Sequence, residues 1–85
     1  MQELLGVTLL KLKRYEDAVG PLEAAVAIKG DDVNYLSNLA FAYDQVGRQA
    51  DALRVLRHAK AVKPEAAKFL DEAIKRIEQK IGASG

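Results

Sequence analysis

One spelling occurs twice in this chain at an interval of 34 residues, and a chain that repeats at that interval has few ways to fold. Leu5-Gly6-x-x-Leu9, then Ala18-x-x-x-Leu22-x-x-Ala25, returns as Leu39-Ala40-x-x-Tyr43, then Ala52-x-x-x-Leu56-x-x-Ala59. Arg14, Asp17, Ala27 and Lys29 find identical counterparts in Arg48, Asp51, Ala61 and Lys63, while Leu12, Val19 and Ile28 give way to Val46, Leu53 and Val62. A fixed period of this size marks an architecture in which each unit is one supersecondary element stacked on the next.

Within each unit the apolar spacing is helical. Leu5, Leu9 and Leu12 recur at i, i+4 and i+7 and predict a helix from Met1 to about Lys13. Gly6 sits inside it at a cost of roughly 0.5–1 kcal/mol relative to alanine, which close approach of a neighbouring helix would explain. Leu4, Val7 and Leu10 lie off the leucine stripe, so this helix is apolar nearly all round and reads as one that packs on several sides. Lys13-Arg14-Tyr15 forms the turn, with basic residues at one helix end and Glu16-Asp17 at the start of the next, as the macrodipole favours. A second helix runs to about Lys29, with Ala18, Val19, Leu22, Ala25, Val26 and Ile28 inward. Gly30 closes it as a left-handed cap, and Asp31 or Asp32 N-caps the third. The third helix spans about 33–46 with Gly47 as its stop, and the fourth about 50–62. The fifth restarts at Pro64 and carries Phe69, Leu70, Ala73, Ile74 and Ile77 inward to about Ile81.

Composition narrows the possibilities. Eighty-five residues make one domain. A formal net charge of +1 argues against a nucleic-acid partner, and the absence of cysteine removes disulfides and thiolate chemistry together. No apolar run reaches the roughly 18 residues that membrane insertion needs. The compartment is not fixed by any motif, and the cytoplasm is favoured.

With both units laid out, the chain resembles the tetratricopeptide repeat (TPR) family, whose 34-residue helix–turn–helix carries Trp-x-x-Leu-Gly-x-x-Tyr, Ala-x-x-x-Phe-x-x-Ala and a closing proline. The first unit matches at Leu5, Gly6, Ala18, Leu22 and Ala25, and departs at Gln2, Leu9 and Gly30. The second matches at Leu39, Tyr43, Ala52, Leu56, Ala59 and Pro64, with Leu36 and Ala40 at the Trp and Gly places. The resemblance implies an all-α fold of antiparallel helix pairs stacked as a right-handed solenoid of about five helices. Residues 1–81 would form a single domain: repeat one 1–32, repeat two 33–66, a capping helix 67–81 and a disordered tail 82–85. Two and a half repeats suggest a fragment of a longer array, or a small protein completed by association.

Catalytic constellations are missing from this reading. His58 is the single histidine, between Arg57 and Ala59 on the fourth helix, and no histidine is spaced to serve Ser37 or Ser84. Asp31-Asp32 reads as a cap, not a metal site, and no phosphate-binding loop occurs. The chain is therefore expected to be no enzyme and to need no cofactor. Basic residues cluster around the fourth helix, but Asp51 interrupts them, so a DNA-reading helix pair is disfavoured.

Binding remains. In the family that the chain resembles, the first helix of each pair lines a concave surface holding a peptide. Carried over residue by residue, that surface includes Leu4, Val7, Leu10 and Lys11 of the first helix and Asn34, Ser37, Asn38, Phe41 and Gln45 of the third. The branch that clamps a C-terminal carboxylate is matched by Asn38 but broken by Glu3, Val7 and Glu72. Val7, Leu10 and Phe41 suggest an apolar groove, or equally a face buried under an upstream repeat or a second copy. The expected function is a protein–protein interaction module that takes a peptide or protein ligand. The alternative is a self-assembly unit whose apolar first helix makes a homo-oligomer.

Overall fold

The computed structural model describes the backbone of residues 2–84 and the side chains of residues 5–82. Five α-helices follow one another: α1 Gln2–Lys11, α2 Tyr15–Ile28, α3 Val33–Gln45, α4 Gln49–Val62 and α5 Ala67–Ser84, with a 3₁₀ turn at Pro64–Ala66 leading into the last. No strand occurs among the described residues. Each helix packs on its successor, and the order of packing is the order of the chain. The fold is an all-α helical repeat.

The period seen in the sequence is present atom by atom. α2 and α4 begin and end at positions related by 34, as do the last residues of α1 and α3. The turn after α1 is held by Lys13 N–H donating to Leu10 O (3.0 Å) and Arg14 N–H to Leu9 O (2.9 Å). The turn after α3 repeats it with Gly47 to Asp44 (3.2 Å) and Arg48 to Tyr43 (2.8 Å). Arg14 Nε donates to Asp17 at 3.0 Å, and Arg48 Nε donates to Asp51 at 2.8 Å. Both arginines stand where α2 and α4 would take an N-cap, and each ties down the first-turn carboxylate. This bond holds the Asp51 carboxyl below its ordinary range, with Arg54 adding to the effect.

The turn requires a left-handed residue, and the two units meet that need differently. Gly47 has φ +85°, which glycine adopts freely; Lys13, its counterpart, has φ +62°. Gly30, expected as a left-handed cap, does not have positive φ; α2 instead ends through Lys29 at φ −124°. Asp32 caps α3, its carboxylate accepting from Asn34 N–H (2.9 Å) and Tyr35 N–H (3.3 Å).

Small residues set the helix-pair contact. Ala18, Ala25, Ala52 and Ala59 are at most 1% exposed, and Leu22 between the first two is fully buried. A Cβ added at Gly6 would lie 2.6 Å from Leu22 Cδ2 and 2.7 Å from its Cγ, so α1 rests on α2 by leaving that atom out. Around these contacts Leu36, Leu39, Tyr43, Leu53, Leu56, Leu70, Ile74 and Ile77 form one continuous core. Ion pairs fasten α5 across it: Lys60–Asp71 at 2.7 Å, Arg57–Glu78 at 3.4 Å and Lys80–Asp44 at 2.9 Å.

Two inward assignments, Phe69 and Ile28, are corrected, and the leucine stripe of α1 is exposed at both its ends, Leu5 and Leu12. Phe69 is 63% exposed, because α5 turns Leu70, Ile74 and Ile77 to the core and leaves Phe69 on its flank. Ile28, in the last position of α2, is largely exposed, and so is Leu12 at the end of α1. The helix also runs through Ser84, past the expected end at 81, so residues 82–84 are helical where a disordered tail was anticipated.

Tyr43 joins the units. Its ring is buried beneath the Arg48 guanidinium, 4.5 Å from the ring centroid, and its hydroxyl donates to the Glu23 carboxylate on α2. Burial, then the bond to Glu23, pushes the phenol from 10.0 up to about 12. The folded state thus favours the neutral phenol, a contribution complete below pH 10 and lost as pH rises toward 12. Unfolding free energy measured by urea melts between pH 10 and 12 should fall less steeply in Tyr43→Phe than in the parent.

Two further outcomes follow from the turn and the contact. Lys13→Gly should stabilise the domain by about 1 kcal/mol, a rise of roughly 4–8 °C in melting temperature, and Gly47→Ala should lower it comparably. Ala18→Leu and Gly6→Ala should each destabilise by roughly 1–3 kcal/mol, although alanine is the better helix former at position 6. Thermal unfolding unchanged in both would place the tight contact elsewhere.

Candidate functional site

α3 is buried along the arc that carries Leu36, Leu39, Ala40 and Tyr43, which leaves Phe41 on its flank at 44% exposure. The Phe41 ring meets Tyr15, the first residue of α2, edge-on at 5.6 Å between centroids. Such a pair is the favoured aromatic geometry and holds Phe41 in one orientation. On its other side the surface opens into a cleft of about 210 Å³ walled by α3 and α5.

Helix geometry explains the cleft. Ser37, Ala40, Phe41 and Asp44 follow one another along α3 at spacings of three, one and three, so they share a face about 10 Å long. Phe69, Glu72, Ala73, Arg76 and Ile77 do the same on α5, and Leu56 of α4 makes the floor. Ala40 and Ala73 are the residues that leave room, since a larger side chain at either would fill the space between the rails. The result is an apolar trough between two exposed phenylalanines, with Glu72 and Arg76 on its rim. Asp44 at one end accepts from Lys80 Nζ at 2.9 Å and from Gln49 Nε2 at 3.1 Å, so its charge is satisfied within the chain. Ser37 Oγ, at the other end, is buried without a hydrogen-bond partner.

Of the nine positions taken from the sequence, Ser37 and Phe41 line this cleft. Asn34 borders a separate depression with Asp31, Asp32, Val33, Lys63, Ala66 and Phe69. Leu10 packs against the core, Val7 and Asn38 are half-buried, and Lys11 and Gln45 are exposed. The side chain of Leu4 lies outside the described residues. The cleft is thus bounded by α3 and α5, where the sequence reading placed a groove between the first and third helices.

The α5 wall was missed, yet the repeat itself signals it. Adding 34 to Tyr35, Leu36, Ala40 and Tyr43 gives Phe69, Leu70, Ile74 and Ile77, so α5 carries a third copy of the first-helix pattern. Read only as a cap, its flank could not be recognised as a wall.

No group of His, Cys, Asp or Glu among the described residues is arranged to hold a metal ion, and no helix among them is long and apolar enough to cross a membrane. A protein-family model described as "Bacterial transcriptional activator domain" matches residues 1–81. No curated protein matches the chain.

Proposed function

The chain belongs to the bacterial transcriptional activator domain family, and from that premise we propose that it is a non-catalytic protein-interaction module. It is built from two tetratricopeptide-type units, 1–32 and 33–66, closed by the helix from 67 onward. The occupied face is the cleft between α3 and α5, and the ligand is a peptide or protein segment that lowers an apolar side chain between Phe41 and Phe69. The exposure of two phenylalanines over one apolar floor is the observation that carries this reading. Aromatic residues in a desolvated pocket dominate binding energy, while polar rims contribute orientation. The Ser37 hydroxyl, which lines that pocket and has no hydrogen-bond partner within the chain, is the polar group left to pair there.

The family's association with transcriptional activators makes nucleic acid a partner to be tested and not one to be set aside on net charge. Pairing on α4 favours protein. Arg48 and Arg54 both engage Asp51, Arg57 engages Glu78, and Lys60 engages Asp71. A phosphate backbone would have to compete with each of these.

The test is a peptide selected against the domain from a random display library, with its affinity measured by fluorescence anisotropy beside that of a labelled DNA duplex. Phe41→Ala and Phe69→Ala should each weaken the peptide at least about tenfold, whereas Arg57→Ala should leave it unchanged. Both phenylalanines are exposed, so circular dichroism should show folded variants. Peptide binding indifferent to both, or duplex binding that Arg57→Ala weakens, sinks the reading.

A further inference from the structure

The two ends of the α3–α5 cleft make different demands on an occupant. At one end Ser37 Oγ is shut away from water with no donor or acceptor to meet it, and such a group is costly until a partner enters. At the other, Lys80 and Gln49 already donate to Asp44. The space between is left by a side chain and not by an absent helix. Thirty-four residues before Ala73 stands Leu39, which is 3% exposed and borders one crevice with Val26 and Ala27 of α2. The counterpart of α2 in the next unit is α4, and it is in place against α5. What the α5 wall lacks is the isopropyl group that a leucine at 73 would supply.

We propose that the side chain this cleft selects is a tyrosine of a partner peptide, its ring between Phe41 and Phe69 and its hydroxyl paired with Ser37, an assignment that rests on the cleft being the binding face. Size agrees: an apolar cavity of about 150 Å³ holds benzene, so the cleft, at about 210 Å³, takes a six-membered ring with a substituent at its tip. Shape agrees as well. Both exposed rails are phenyl rings, and Tyr15 holds that of Phe41 in one orientation. An incoming ring meets them edge-to-face or offset, the arrangements that aromatic pairs favour. Leucine would forgo those contacts, and phenylalanine would leave Ser37 unpaired. An indole N–H sits on the flank of its ring system and only donates, whereas a phenol hydroxyl stands at the tip and both donates and accepts. A serine hydroxyl swings about one side-chain bond between staggered positions, so Oγ can turn to meet it.

The probe is a display library of short segments, random except at the centre, where tyrosine, phenylalanine, tryptophan and leucine are present in equal shares. Selection on the 85-residue domain should enrich tyrosine. In a selected segment, exchange of that tyrosine for phenylalanine should weaken binding roughly tenfold by fluorescence anisotropy. Ser37→Ala should abolish the difference by weakening only the tyrosine segment, and Ala73→Leu, which fills the trough, should weaken both. Circular dichroism checks that the variants are folded, and the comparison of the two segments on the parent protein needs no variant. The proposal is overturned by selection of another residue at the centre, by equal affinity for the two segments, or by a tyrosine preference that survives Ser37→Ala. Any of these, with binding still lost in Phe41→Ala and Phe69→Ala, removes the tyrosine and leaves the cleft as the binding face. Binding indifferent to both phenylalanines removes the cleft, and the tyrosine with it.

Discussion

Leu22 lies fully buried against the bare Cα of Gly6, and the rest of the stack depends on that contact. Two antiparallel helices can bury a leucine between them only where the facing helix presents little or nothing at the crossing. Ala18 and Ala25 meet the requirement from one side, Gly6 from the other, and Ala52, Ala59 and Ala40 do so around Leu56. Once the pairs are this close, α3 has an apolar flank left over and a neighbour, α2, within reach of it. The Tyr43–Glu23 hydrogen bond and the guanidinium of Arg48 above the ring then seal the joint between units. A stack of this kind transmits its geometry by nearest-neighbour contact alone.

The same rule places the candidate cleft. α5 meets α4 much as α3 meets α2, with two ion pairs to α4 and a third, Lys80–Asp44, to α3, so its flank runs beside that of α3. Exposed pairs of this type contribute little to stability individually. Their effect is to select one alignment among several that the apolar face alone would allow. With the alignment set, Phe41 and Phe69 stand on opposite rails, and small residues between them leave the space that a ligand side chain would fill.

Much of this was legible beforehand, for a reason particular to repeats. Each interior position is spelled twice, so an alanine at 18 and again at 52 is evidence of a contact and not an accident of composition. Gly6 announced a close approach, and Leu22 proved to be what approaches. Where only one copy was consulted, the reading failed. Lys13 shows no sign of left-handed backbone until Gly47 is set beside it. Phe69 reads as an inward residue until Tyr35, half-buried at the equivalent place, is compared with it. Leu5 and Leu12 belong to a stripe that is buried in the second unit, and nothing local says that in the first it is bare.

By itself the sequence determined the elements: five helices, their turns at a fixed interval, and which side of each must face another. Periodicity and side-chain size suffice for that, because they act within one helix or between helices adjacent in the chain. Which flank stays open was decided only by tertiary structure. Exposure depends on whether a neighbour is present, and the leucine at position 5 and the leucine at position 39 are chemically identical until α2 covers one of them.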